Sequence, residues 1–143
     1  MAIIKKLKDF IMECPYLEDL AEVNVDFLPE DISTYGIEQT PSEPWINKWV
    51  DGSGGEKRLT FVFSSRMNWS YELQNSIESC GFFENFQNWL DEKTDNDELP
   101  NLGENMVAMS IEAMSSGYLF DNPSNLQDAR YQIQCLLVYE YKK

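Results

Sequence analysis

Arg130-Tyr131-Gln132-Ile133-Gln134-Cys135-Leu136-Leu137-Val138-Tyr139-Glu140-Tyr141 decides the fold. Tyr131, Ile133, Cys135, Leu137, Tyr139 and Tyr141 fall at every second position, and Gln132, Gln134 and Glu140 fall between them. Successive side chains of a strand point to opposite faces, so this period of two marks a strand with one buried and one mostly wet face. Upstream, Val107, Met109, Ile111 and Ala113 alternate with Ala108, Ser110, Glu112 and Met114, which predicts a second strand over Val107–Tyr118. The segment Phe120-Asp121-Asn122-Pro123-Ser124-Asn125 between them is dense in turn formers. Neighbouring strands joined in this way pair antiparallel as a rule. Neither buries its apolar face alone, so the earlier chain must cover them.

That cover is legible. From Asn68 the spacing turns helical, with Trp69, Leu73, Ile77 and Cys80, then Phe82, Phe83, Phe86, Trp89 and Leu90. Asn68 and Ser70 are candidate caps. Gly81 costs about 1 kcal/mol inside a helix, which predicts a bend or break there. Leu73, Ile77, Phe83 and Phe86 are expected to pack against Phe61, Phe63, Ile111, Ile133 and Leu137. Further upstream, alternation marks strands over Val23–Phe27, Ile32–Gln39, Trp45–Val50 and Lys57–Ser64, with Asp51-Gly52-Ser53-Gly54-Gly55 as a tight reversal before the last. Ile3, Ile4, Leu7, Phe10 and Ile11 form the apolar stripe of a short helix that Cys14-Pro15 ends. Helix, strands, long helix and strands in that order predict one α+β domain over residues 1–143: a mainly antiparallel sheet with both helices on one face.

Composition narrows the chemistry. The chain has 143 residues, enough for one core. No apolar run is long enough to span a bilayer, and the first residues lack the apolar core of a signal peptide. Cys14, Cys80 and Cys135 are odd in number and far apart, so an intracellular protein with reduced, buried thiols is expected. Histidine is absent, which excludes Ser-His-Asp and Cys-His catalysis and histidine metal sites. Gly52–Arg58 lacks the Gly-Lys-Ser/Thr of a phosphate loop and leads into a strand, so it reads as a hairpin. Asp91-Glu92-Lys93-Thr94-Asp95-Asn96-Asp97-Glu98 fails the EF-hand pattern in both registers. Counted from Asp91 or Asp95, the sixth position is Asn96 or Pro100 and the twelfth is Leu102 or Met106. It reads as a solvated acidic loop running to Gly103. No cofactor, metal site or catalytic residue is expected.

The formal net charge is −14, and no Lys or Arg lies between Lys8 and Lys48. A surface of this sign repels nucleic acid or meets a basic partner. It also simply confers solubility.

One ordered series of features runs from the tract Trp69–Leu90 through Leu99-Pro100-Asn101-Leu102 to Ile111 and Gly117-Tyr118-Leu119. It closes on Tyr131-Gln132-Ile133-Gln134 and Val138-Tyr139-Glu140-Tyr141. This series resembles the small tail-terminator or tail-completion proteins of long-tailed bacteriophages and prophages, often called minor capsid proteins. The resemblance covers about half of the chain, and Trp45–Arg58 has no counterpart in it. It implies a structural virion protein that caps the head-proximal end of the tail tube as a ring, typically a hexamer. Such a protein stops tail polymerisation and joins tail to head. The implied partners are further copies of the chain, the tail-tube protein and a head-completion or connector protein, with DNA passing through unbound and no membrane. The implied location is the virion tail, after assembly in the bacterial cytoplasm.

A ring wall that DNA passes is well served by carboxylates. The candidates are Asp91, Glu92, Asp95, Asp97 and Glu98, within the stretch to Glu104, and the acidic span Asp9–Glu43. Trp45 and Trp49, on one face of the Trp45–Val50 strand, are the candidates for a subunit contact, because aromatic residues are enriched in interface cores. Ordinary core packing is the competing reading of both tryptophans. Two other classes stay open: an acidic interaction module that mimics DNA, told apart by carboxylates spaced like phosphates on a rigid face, and a metal-dependent carboxylate enzyme, told apart by one deep pocket with converging carboxylates.

Overall fold

A computed structural model of the chain describes residues 3–17, 23–25, 34–68, 73–121 and 128–143; for residues 34, 66–68, 73–80, 119–121 and 128–129 it describes the backbone alone. The architecture is α+β. Helix α1 (Ile3–Ile11) is followed by β1 (Val23–Val25), β2 (Thr34–Thr40), β3 (Trp45–Lys48) and β4 (Gly54–Asn68). Helix α2 (Leu73–Asp95) comes next, then β5 (Met106–Ala113), β6 (Tyr118–Asp121) and β7 (Asp128–Lys142). The seven strands form one sheet in the order β1-β2-β4-β7-β5, with β3 beside β4 and β6 beside β7. Every pair is antiparallel except β1 with β2.

The sheet is built on the ladder between β4 and β7, unbroken from Gly54 opposite Lys142 to Asn68 opposite Asp128. Phe61 opposes Cys135, Phe63 opposes Ile133 and Leu59 opposes Leu137, so the alternating apolar sets of the two strands share one face. The helices cover that face. Phe10 of α1 meets Trp89 of α2 at 5.0 Å, Phe86 stacks on Phe63 at 4.5 Å, and Phe63 stacks on Tyr35 of β2 at 5.7 Å. Both helices are thus tied to the sheet by one run of rings, each contact adding about 0.5–1.5 kcal/mol beyond its buried area. Phe61, Phe63, Phe83, Phe86, Ile111, Ile133 and Leu137 are buried as the pattern predicts. The side chains of Leu73 and Ile77 lie outside the described residues.

The structure corrects several boundaries. The strand expected over Val107–Tyr118 is two strands. β5 leaves β7 after Ala113 opposite Cys135, and β6 rejoins the same edge with Tyr118 opposite Gln132. Ser115 bridges the gap, its hydroxyl accepting the Gln134 N–H at 3.1 Å. Gly117 is needed there because a Cβ would overlap the Phe83 ring. The helix expected to bend or break at Gly81 runs uninterrupted to Asp95, five residues past Leu90. It therefore carries Asp91, Glu92 and Asp95, which the sequence pattern assigns to an acidic loop. Packing of the flanking Phe82, Phe83 and Phe86 outweighs the glycine's propensity cost.

Helix α1 stops at Ile11, and tighter turns, Glu13 N–H to Phe10 O and Cys14 N–H to Ile11 O, carry the chain towards Pro15. β4 extends beyond the expected Lys57–Ser64 at both ends. β1 and β2 match the expected strands where these are described, and residues 26–27 and 32–33 lie outside the described residues.

The outer face of the sheet is less wet than expected. Val62, Thr60, Ser64 and Gln132 are buried there. Neighbouring side chains close over one another through hydrogen bonds. Thr40 Oγ1 donates to Thr60 Oγ1 at 2.8 Å, Ser64 Oγ donates to Gly36 O at 3.3 Å, and Gln132 Nε2 donates to the Tyr118 hydroxyl at 2.6 Å. An ion pair of 3.0 Å between Arg130 and Glu38 joins the same layer.

The two glycines should respond oppositely to substitution. Gly81 has open space where a Cβ would stand, so Gly81→Ala is expected to stabilise the protein by about 1 kcal/mol. Gly117→Ala is expected to cost about 1–3 kcal/mol through overpacking against Phe83. Urea midpoints of the two variants check both signs. By the same measurement, Phe61→Ala and Ile133→Ala should each cost about 2–5 kcal/mol, since both side chains are fully buried.

Candidate functional site

The carboxylates singled out as a candidate wall gather at one place, the end of α2. Asp91, Glu92, Asp95, Asp97 and Glu98 are all exposed. The helix ends in a Schellman turn, in which the Asp97 N–H reaches Thr94 O at 3.2 Å and the Glu98 N–H reaches Lys93 O at 2.9 Å. Asp97 takes the left-handed position of that turn, with φ of 55°. Glycine is usual there, and aspartate is among the few other residues that tolerate it. Lys93 lies between the acids, paired with Glu98 at 3.0 Å and lying 5.8 Å from the Trp89 ring. Thr94 fixes the turn to the sheet. Its hydroxyl donates to Ile111 O at 2.8 Å and accepts the Ile111 N–H at 3.1 Å, which closes part of the free edge of β5.

Past the turn, residues 97–102 form the wall between two shallow grooves. One, of about 360 Å³, lies against α1 and is lined by Lys6, Asp9, Phe10, Glu13 and Glu98. The other, of about 270 Å³, lies against β5 and is lined by Asp97, Leu99, Pro100, Leu102 and Val107 among others. Lys6 donates to Leu102 O at 2.7 Å and ties the wall to α1. Neither groove is a deep pocket with converging carboxylates. Among the described residues no three Cys, Asp or Glu side chains are placed to hold a metal ion. Of the acidic span Asp9–Glu43, Glu38 is half-buried and Asp9, Glu13 and Glu43 are exposed, while Glu18, Asp19, Glu22, Asp26, Glu30 and Asp31 lie outside the described residues.

The two candidate contact residues do not form the pair expected. β3 ends at Lys48, and its register on β4 slips between Trp45 and Asn47, so strand alternation does not place Trp45 and Trp49 on one face. Trp49 sits at the start of the reversal, where its N–H reaches Gly54 O at 2.9 Å. Trp45 instead belongs to a cluster that sequence reasoning missed. Lys57 and Lys48 lie 4.8 Å and 5.2 Å from its ring centroid, and Tyr141 meets it edge-on at 6.3 Å. Lys57 was within reach of sequence reasoning, because a correctly registered hairpin places it opposite Trp45. Tyr141 was not, because it arrives from the far end of the chain.

The reversal itself is as read. Asp51 accepts from the Ser53 hydroxyl and backbone N–H at 2.7 Å and 3.0 Å, and these bonds lower its pKa. Gly52 takes φ of 75°, and a Cβ on Gly54 would strike the Tyr141 carbonyl.

No helix among the described residues is long and apolar enough to cross a membrane. No protein-family model and no curated protein matches the chain.

Cys14 and Cys135 are buried, and desolvation raises both thiol pKa values above the ordinary 9.0. Neither is a nucleophile at neutral pH. In native protein at about pH 8, peptides carrying these two residues should stay unalkylated by iodoacetamide while urea-unfolded protein reacts fully, as mass spectrometry would read. The folded state holds these protons more tightly than the unfolded chain. Their contribution to stability is therefore complete below the ordinary thiol value and lost as pH rises past 9.0. The urea midpoint should fall across that window.

Proposed function

We propose that this chain is a structural protein of a long-tailed phage or prophage that closes the head-proximal end of the tail tube as a ring of identical subunits. In this reading it ends tail polymerisation and presents a surface to the head-completion or connector protein. Its location is the finished virion tail, reached from the bacterial cytoplasm.

The observation that carries the reading is the acidic end of α2. Asp91, Glu92, Asp95, Asp97 and Glu98 crowd one solvent-facing corner, with Lys93 alone to offset them over residues 91–98. Such crowding costs self-repulsion. A wall of that charge lets a polyphosphate pass without capture, because its one cation, Lys93, is paired with Glu98 and the rest is carboxylate. The ordered features Leu99–Leu102, Gly117–Leu119 and Tyr131–Gln134, which carry the family resemblance, occupy defined places in this fold. Leu99–Leu102 walls the grooves, Gly117 lies over Phe83 and leads into β6, and Tyr131 and Gln132 of the Tyr131–Gln134 stretch pair with Leu119 and Tyr118. Nothing in this reading requires a reacting group.

Deleting the gene from its phage tests the proposal. Electron microscopy of the lysate should show tails of uncontrolled length separate from filled heads, and expression of the intact chain in trans should restore joined tails of uniform length. Joined tails of normal length in its absence would end this reading.

A further inference from the structure

The sheet presents two unlike lateral flanks at the end where the β4–β7 ladder starts. One is β3 with its reversal, and the other is β5 with the wall of residues 97–104. They stand three strand positions apart, roughly 14 Å at the usual strand spacing. Of the seven large apolar side chains exposed among the described residues, four lie on these flanks: Ile46 and Val50 on the first, Val107 and Met109 on the second. Isolated exposed apolar side chains need no explanation, but their concentration on two strand flanks does.

The charges differ as well. On the β3 flank, the Lys48 and Lys57 ammonium groups lie near the Trp45 ring, and neither makes an ion pair with a described carboxylate. Glu43, Asp51 and Glu56 offset these cations over the flank as a whole, so the positive charge is local to the Trp45 ring. The β5 flank is acidic: Asp97 lines the groove of about 270 Å³, and Asp95 and Glu104, close in the chain to its lining residues, are exposed. A basic aromatic knob therefore lies on one side and an acidic groove with an apolar lining on the other.

We infer that the Trp45–Lys48–Lys57 knob of one copy docks in the β5 groove of the next, with Asp95, Asp97 and Glu104 facing the two lysines. Copies of this chain are favoured as the occupant because the two surfaces are complementary in charge and both are apolar at the centre. A contact between two different flanks of one molecule is head-to-tail, so it leaves a free flank at each end and continues until it closes. The inference rests on the self-assembly part of the proposed function and assigns its surfaces. It also divides the carboxylates of α2, leaving Asp91 and Glu92 for the wall and turning Asp95 and Asp97 toward a neighbour.

Sedimentation velocity of the full chain tests this. The wild-type protein should associate beyond a dimer at high concentration, and raising NaCl from about 0.05 M to about 0.5 M should weaken the association about tenfold, because screening acts on the facing charges. The variants Lys48→Glu/Lys57→Glu and Asp95→Lys/Glu104→Lys should each stay monomeric, while their equimolar mixture regains the wild-type association. That recovery also shows that both variants are folded. A mixture that stays monomeric, or association that neither variant changes, would overturn the contact. A strictly monomeric wild-type protein in low salt would overturn it too, leaving the tail reading to be judged by the phage deletion.

Discussion

The ladder between β4 and β7 is the constraint on which everything else depends. Each strand contributes 15 residues, and the two are separated in the chain by α2, β5 and β6. Every other strand but β1 takes its place from this pair: β2 and β3 share one side of β4, and β5 and β6 share the far side of β7. The aromatic run from α1 through α2 reaches the ladder at Phe63 and continues to Tyr35 of β2. Register matters here more than anywhere else. A slip of one residue would turn the apolar set of the strand that slips to the outer face, carrying Thr60 and Ser64 of β4, or Gln132 of β7, into the core. The outer hydrogen bonds of Thr60, Ser64 and Gln132 favour the same register from the other side.

The margins of the sheet follow a different logic. A free strand edge invites indiscriminate pairing, and most of this molecule's edges are blunted. β1 is three residues long, β3 is four and carries a register slip, and β5 is met at Ile111 by the Thr94 hydroxyl. What the β3 and β5 margins still expose is side-chain character rather than open backbone: an aromatic ring near two ammonium groups on one, and apolar residues beside carboxylates on the other. Contacts made through side chains select a partner by charge and shape, which backbone pairing cannot do.

Much of this fold was legible in the sequence because its strongest signals are local. The alternation of Tyr131 to Tyr141 and of Leu59 to Phe63 depends only on strand geometry, and both strands formed with the expected faces inward. What was not legible is non-local. Gly81 reads as a helix breaker until the burial of Phe83 and Phe86 is counted, and that burial comes from strands elsewhere in the chain. At the break between β5 and β6, Gly117 sits against the Phe83 ring, a contact made from another part of the chain. The Trp45 cluster needs a register slip and a tyrosine nearly a hundred residues away, so neither the loss of Trp49 from that face nor the presence of Tyr141 was visible from spacing, whereas Lys57 follows from the hairpin once its register is known. The acidic residues were easy to find and their exposure easy to expect. Their gathering on the end of a helix and the turn after it depended on where the helix stops.

The central position of β7 has a consequence for how the chain is made. Translation delivers β4 well before β7, and until Asp128–Lys142 has emerged one whole side of β4 has no strand to pair with. Phe61 and Phe63 can be shielded by α2 in the meantime, but the backbone groups along that open side cannot. A nascent chain at this stage offers a long unsatisfied edge to any other nascent chain on the same messenger. The pace at which ribosomes deliver the stretch between β4 and β7, and any chaperone that occupies the β4 edge meanwhile, therefore bear directly on the yield of folded protein in a cell making many copies at once.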